Sequence, residues 1–349
     1  MACSRRRFTP RLMPSVMRVN TEGISMKNVA MQQLAQQLAA VVLVLSSAFS
    51  AFGQSAPARD STSEGRFVVV NGAKLWYEIE GKGEPVLLIA GGPGASHSYF
   101  DPYFSALADS YRVIYFDAFG RGKSDRAKSP SEYTFERDVE DIEGIRKALN
   151  LGRMNVFGHS YGGLVAQAYA LKYPDSVKRL ILANTLFSGE MWQANNDNYN
   201  YEIRNQFPEV WERIQALRAQ GLHSTAQEHQ DAYAEVPPSL CYFYNASNAD
   251  NFKPEISADV YYSIVGDDGD FLIGGDIAPL DFRTRLKNLE MPTLILAGRF
   301  DRVTLPRFSV QFRQYAPQAQ FVMFEKSGHF PFIEDPDQMF KVVREFLSK

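Results

Sequence analysis

Short apolar runs separated by longer amphipathic stretches set the rhythm of the chain from about residue 65. Phe67 to Val70, Leu75 to Ile79, Val86 to Ala90, Val113 to Phe116, Asn155 to Phe157 and Leu180 to Ala183 have the length and composition of strands. Between them, Glu136 to Leu149 places Val139, Ile142, Ile145 and Leu149 at steps of three and four, which predicts a helix with one buried stripe. The rhythm resumes late, with Thr293 to Ala297 and Phe321 to Phe324 as strands and Met339 to Leu347 as a closing helix. Strands alternating with helical segments predict an α/β fold, a mostly parallel central sheet flanked by helices.

The rhythm stops between residues 188 and 285. There the composition shifts to Asn, Tyr, Asp and Glu, with helical pieces such as Val210 to Leu217. A block inserted between strands of an α/β core predicts a mainly helical cap, leaving 54–187 and 286–349 as the two parts of the core. The cap holds 16 acidic and 6 basic residues, a net charge of −10, while the whole chain carries −3. Acidity above a binding site favours cationic substrates electrostatically.

The N-terminus has a different character. Ala39 to Phe52 is an apolar, small-residue run preceded by Lys27 and followed by a small-residue cleavage pattern before Gln54. Residues 1–53 are therefore expected to be an export signal, making the protein periplasmic or secreted; a retained N-terminal anchor is the alternative. The run is short of the ~20 apolar residues a membrane crossing needs, so no stable insertion is expected once it is removed. Removing it takes Cys3 away and leaves Cys241 as the mature chain's one cysteine, without a disulfide partner.

Candidate chemistry concentrates at Gly158-His159-Ser160-Tyr161-Gly162-Gly163, between the apolar run Met154 to Phe157 and the helix-compatible stretch Leu164 to Leu171. A serine raised on a tight strand-to-helix turn needs small residues two before and two after it, and Gly158 and Gly162 supply them. Ser160 is the expected nucleophile. A serine hydroxyl needs a base oriented by a third group. Asp301 follows the Thr293 to Ala297 run within Gly298-Arg299-Phe300-Asp301, and His329 follows the last strand within Ser327-Gly328-His329. The order Ser, Asp, His after successive strands is that of α/β-hydrolases. Ala90-Gly91-Gly92-Pro93-Gly94 ends an early strand, so the backbone N–H groups of Gly92 and Tyr161 are the expected oxyanion donors. Gly122-Lys123-Ser124 lacks the first glycine of a phosphate-binding loop, where Asp117 stands, and no His/Cys spacing suits a metal. No cofactor, metal or nucleic-acid partner is expected.

These motifs together resemble the proline iminopeptidase family of α/β-hydrolase-fold serine peptidases. The resemblance rests on Gly91 to Gly94 with Ala95-Ser96-His97, on Asp117 to Ser124 as an Asp-x-x-Gly-x-Gly-x-Ser loop, on the Ser160 turn, and on Gly298 to Asp301 and Gly328-His329. Ala90 stands where the family usually has histidine, and Phe119 where it has arginine. The resemblance implies an aminopeptidase that releases an N-terminal residue, commonly proline, from small peptides or amino-acid amides, with cap glutamates holding the free amine. Glu202, Glu209 and Glu212 lie in the right region for that role. A secreted carboxylesterase or lactonase with the same three groups, and a catalytically silent binding module of the same fold, remain the alternative readings. If residues 1–53 direct export, N-terminal sequencing of the exported protein will begin at Gln54; an exported chain still carrying residues 26–53 would show an anchor instead.

Overall fold

Eight strands form one sheet in the computed structural model, which describes residues 65–252 and 254–349. The expected export signal lies outside the described residues. β1 (Arg66–Val70) and β2 (Ala73–Glu80) pair as an antiparallel hairpin. The turn between them is Asn71-Gly72, whose φ values of 48° and 82° suit a two-residue turn that follows the twist of its strands. β3 (Glu84–Ile89), β4 (Tyr111–Phe116), β5 (Met154–His159), β6 (Val177–Ala183), β7 (Thr293–Gly298) and β8 (Gln320–Phe324) complete the order β1-β2-β4-β3-β5-β6-β7-β8. Every pairing from β4 to β8 is parallel.

The inner strands read as unbroken apolar runs because both faces of the sheet are covered. Alternate side chains feed two separate cores. Leu87, Ile89, Val156, Leu180 and Leu182 join one cluster, with Val139, Ile142 and Ile145 of α1 (Phe135–Ala148) and Leu164 and Val165 of α2 (Tyr161–Lys172). Val86, Leu88, Phe157, Ile181 and Leu294 join the other, with Phe100 and Phe104. That second core is closed by the last helix, Pro336–Leu347, which buries Met339, Phe340, Val343, Phe346 and Leu347 at helical spacing.

Among the described residues no strand of the sheet lies between Ala183 and Thr293. Four α-helices occupy that interval, with shorter 3-10 turns between and after them: α3 (Gly189–Gln206), α4 (Pro208–Ala219), α5 (Gln227–Ala234) and α6 (Ala258–Val265). The segment leading into α6 is hydrogen-bonded to the loop after β3, through Ser96 N–H to Glu255 C=O at 3.0 Å and Ser257 N–H to Gly94 C=O at 2.8 Å. The carboxyl ends of β3, β5, β7 and β8 thus share one side of the sheet, where parallel α/β proteins bind their ligands.

Under that edge, Phe332 is fully buried with its ring 5.4 to 6.2 Å from those of Tyr99, Phe100, Phe104, His159 and Phe330. Phe332→Ala is expected to cost about 3–5 kcal/mol, the sum of lost transfer energy and an unfilled cavity. Urea unfolding would show this as a lower midpoint with a similar slope.

Candidate active site

Ser160 sits between β5 and α2 with φ 55° and ψ −124°, a conformation a side-chain-bearing residue adopts at a cost of ~1–3 kcal/mol. Its surroundings hold it there. Its N–H donates to Ala183 C=O at 3.0 Å, and its own carbonyl accepts from Thr185 Oγ1 at 2.6 Å and Gly163 N–H at 2.9 Å. A Cβ on Gly158 would collide with the carbonyl of Gly162, and one on Gly162 with the carbonyl of Ile89. A Cβ on Gly91 would lie 2.8 Å from Ser160 Cβ, so the loop after β3 passes directly against the serine.

Asp301, after β7, and His329, after β8, form a buried pair, with Nδ1 of the imidazole 2.9 Å from Oδ2. The carboxylate accepts four further hydrogen bonds: Oδ1 from Val303 and Thr304 N–H, both at 2.8 Å, and Oδ2 from Asn184 Nδ2 at 2.9 Å and Thr304 Oγ1 at 2.5 Å. Burial would raise its pKa, yet His329 and the donors from His329, Thr304 and Asn184 outweigh burial and hold it below the ordinary carboxylate value. An ionised Asp301 fixes the proton of His329 on Nδ1 and leaves Nε2 as an acceptor.

The backbone of His329 is held as firmly as its ring. Its N–H donates to Tyr242 C=O at 2.7 Å, and its carbonyl lies 2.9 Å from Nε2 of His159. His159 packs against His329, with ring centroids 4.7 Å apart. Burial above all, with His329 adding to it, pushes the His159 pKa down to about 3. Neutral His159 therefore donates from Nε2 to His329 C=O and accepts at Nδ1 from the Tyr99 hydroxyl, 3.2 Å away, while that hydroxyl accepts from Gly91 N–H.

Ser160, His329 and Gly92 open onto one cavity of about 430 Å³. Ser160 Oγ makes no hydrogen bond with a described residue, so serine and histidine share the cavity without a formed bond; such contacts often tighten only around substrate. Tyr161, the first residue of α2, carries an N–H in the turn where helix donors lack intrahelical partners.

Glu202, Glu209 and Glu212 are not brought to this cavity. Glu209 and Glu212 are exposed on α4, and Glu202 on α3 accepts instead from Gln206 Nε2 at 2.6 Å. Asp270 is the acid that lines it, and with Arg302 it is one of two lining side chains that carry formal charge. Its Oδ2 accepts from the Tyr262 hydroxyl at 3.0 Å, and its backbone carbonyl from Asn200 Nδ2 at 2.9 Å. Burial raises its pKa to about 6 against the opposing hydrogen bonds of Tyr262 and Ser224. Trp192, Tyr199, Tyr233, Tyr242 and Tyr261 make the walls largely aromatic. In sequence Asp270 sits in the acidic run Asp267-Asp268-Gly269-Asp270, which has the look of a solvated loop. Asp267 is indeed exposed and Asp268 is bound bidentately by Arg218, so only the fold separates the three acids. Among the described residues no group of three His, Cys, Asp or Glu is placed to hold a metal ion.

Residues 84–336 match the family defined by the alpha/beta hydrolase fold. The chain belongs to the α/β-hydrolase fold family. Within that family it is 30% identical over 298 residues to the proline iminopeptidase of Heyndrickxia coagulans, an alignment covering 81% of this chain and 98% of that protein. The proline iminopeptidase of Saccharolobus solfataricus is 27% identical over 281 residues, 78% of this chain and 87% of its own length. The crystal structure of the Mycobacterium smegmatis proline iminopeptidase superposes with a TM-score of 0.65 at 23% identity, covering 82% of this chain and 98% of that one, a likeness of fold. This α/β-hydrolase is a proline iminopeptidase-like hydrolase.

Proposed function

We propose that this α/β-hydrolase is an exported serine aminopeptidase that releases an N-terminal residue, proline by preference, from peptides or amino-acid amides. The observation that carries this reading is Asp270, the one carboxylate among the lining residues of a largely aromatic cavity that also contains Ser160, His329 and Arg302. The relatives named proline iminopeptidase support the same class.

In this mechanism His329 Nε2 removes the proton of Ser160 as Oγ attacks the carbonyl of the first residue, and Asp301 stabilises the imidazolium that forms. The N–H groups of Gly92 and Tyr161 receive the developing oxyanion, each worth ~3 kcal/mol or more. His329 returns its proton to the leaving amine, which departs and leaves an ester on Ser160. Water then adds to that ester with His329 again as base, freeing the amino acid and the serine. The substrate's ammonium pairs with Asp270 while aromatic walls take an apolar ring. An acylated amine would leave that carboxylate without the ammonium that offsets its desolvation, which confines cleavage to the first residue. The amine is thus assigned to Asp270 rather than to Glu202, Glu209 or Glu212.

Ser160→Ala is expected to abolish turnover of free-amine prolyl and alanyl arylamides while leaving the thermal transition in place. Wild-type activity on those arylamides should vanish on N-acetylation; cleavage of short aryl esters alone, indifferent to a free amine, would make the chain an esterase.

A second expectation concerns pH. The Asp270 carboxylate must be ionised to hold an ammonium, so the ratio of kcat/KM for a prolyl arylamide to that for an aryl ester should fall as pH drops through about 6. Taking the ratio removes the protonation of His329, which both substrates share. Asp270→Asn should lower arylamide kcat/KM about 100-fold and flatten the ratio's acid limb. A variant that kept both would remove Asp270 from amine binding.

A further inference from the structure

A buried ion pair lies behind the elbow in the core that α1 and α2 pack against, and the mechanism above does not use it. Arg121, in the loop after β4, and Asp138, in the first turn of α1, are both almost wholly buried and joined by two parallel hydrogen bonds of 2.6 Å. The pair reaches both sides of the expected oxyanion site. Arg121 Nε donates to Pro93 C=O at 2.5 Å, one residue beyond Gly92, and Nη1 also donates to Phe119 C=O at 2.7 Å. Asp138 Oδ2 accepts from the hydroxyl of Tyr161 at 2.6 Å, and Tyr161 is the residue whose backbone N–H follows the nucleophile.

We propose that Arg121, Asp138 and the Tyr161 hydroxyl are positioning residues that fix the two oxyanion donors relative to each other. The inference rests on the serine-hydrolase part of the reading above and not on its substrate. Stability alone does not account for such a pair: a buried ion pair replaced by apolar side chains of like volume is often neutral or better for folding. What charge supplies here is direction. Gly92 has φ 31°, and a residue without a Cβ has little torsional preference of its own, so its orientation is set by what holds the turn, beginning with Ala95 N–H, which donates to Gly92 C=O at 2.7 Å. Arg121 pins the carbonyl just after it, and the Tyr99 hydroxyl pins Gly91 N–H just before it. Ser257 N–H, at 2.8 Å from Gly94 C=O, holds the far end of the turn. On the other side, Tyr161 is tied through its ring to the same carboxylate, so the first turn of α2 cannot rotate independently of the Gly92 loop. Burial and the neighbouring Asp138 charge keep the Tyr161 phenol protonated well above its usual range, so it stays a donor. A preorganised oxyanion site costs no rearrangement when charge develops, and donors misplaced by a fraction of an ångström lose much of their value.

The test compares wild type, Tyr161→Phe, Arg121→Lys and the double variant on p-nitrophenyl acetate and a prolyl arylamide, with phenylboronic acid as a tetrahedral adduct of the serine. Tyr161→Phe keeps the ion pair and the ring's volume. It should lower kcat about 10-fold with KM within two-fold, and weaken phenylboronic acid by the same factor. The double variant should lose no more than Arg121→Lys, because both break one device. A kcat within two-fold of wild type in a folded Tyr161→Phe protein, or a loss of kcat with boronate affinity unchanged, overturns the proposal. If Arg121→Lys does not fold, Tyr161→Phe decides alone. The underlying reading fails separately, if Ser160→Ala retains turnover or wild type does not bind the boronate.

Discussion

The positive-φ backbone of Ser160 is the constraint around which the rest of the site is arranged. It can exist only where nothing larger than hydrogen stands at Gly158 and Gly162, since a side chain at either would meet a backbone carbonyl. That close approach brings β5, the start of α2 and the loop after β3 into contact. From it follow the exposure of the serine to the cavity, the placement of Tyr161 N–H at a helix start, and the passage of Gly91-Gly92 beside the serine. A local cost of ~1–3 kcal/mol is sustained because the sheet on either side is buried on both faces and does not relax around it.

The polar groups around this elbow are backed by a further layer of hydrogen-bonded groups. Asp301 is ionised in a buried place because five hydrogen bonds converge on it, three of them from Thr304 and Asn184. His329 is held at its ring by Asp301, at its N–H by Tyr242 and at its carbonyl by a His159 whose neutrality is fixed by burial. Tyr99 then joins His159 to Gly91, so the loop carrying the base and the loop beside the serine share one chain of hydrogen bonds. Such buried networks cost stability if one member is missing, and they specify a single arrangement when complete.

Selectivity in this reading comes from scarcity of charge. An acidic inserted segment would attract cations broadly through its field. One carboxylate among aromatic walls does something different, because inside the cavity it must be matched group by group. The distinction separates steering, which many surface acids share, from recognition, which Asp270 alone among the lining acids can provide.

The alternation of strands and helices, and the positions of Ser160, Asp301 and His329 after β5, β7 and β8, were legible in the chain because each depends on local physics. A strand buried on both faces must be an apolar run, and a tight strand-to-helix turn must carry small residues at fixed offsets. Asp270 was not legible, and the acids chosen from the helical region, Glu202, Glu209 and Glu212, project elsewhere. Nothing in Asp267-Asp268-Gly269-Asp270 marks which carboxylate is taken by Arg218 and which meets the cavity. Arg121 was hidden too, at a variable position of the Asp-x-x-Gly-x-Gly-x-Ser loop, while its partners Asp138 and Pro93 lie 17 and 28 residues away. The sequence by itself therefore determined the scaffold and the places of Ser160, Asp301 and His329 on it, whose requirements are short-range. Only the tertiary structure decided which charges are paired, which are free and what they face, because those relations are set by chain segments that meet after the sheet has formed.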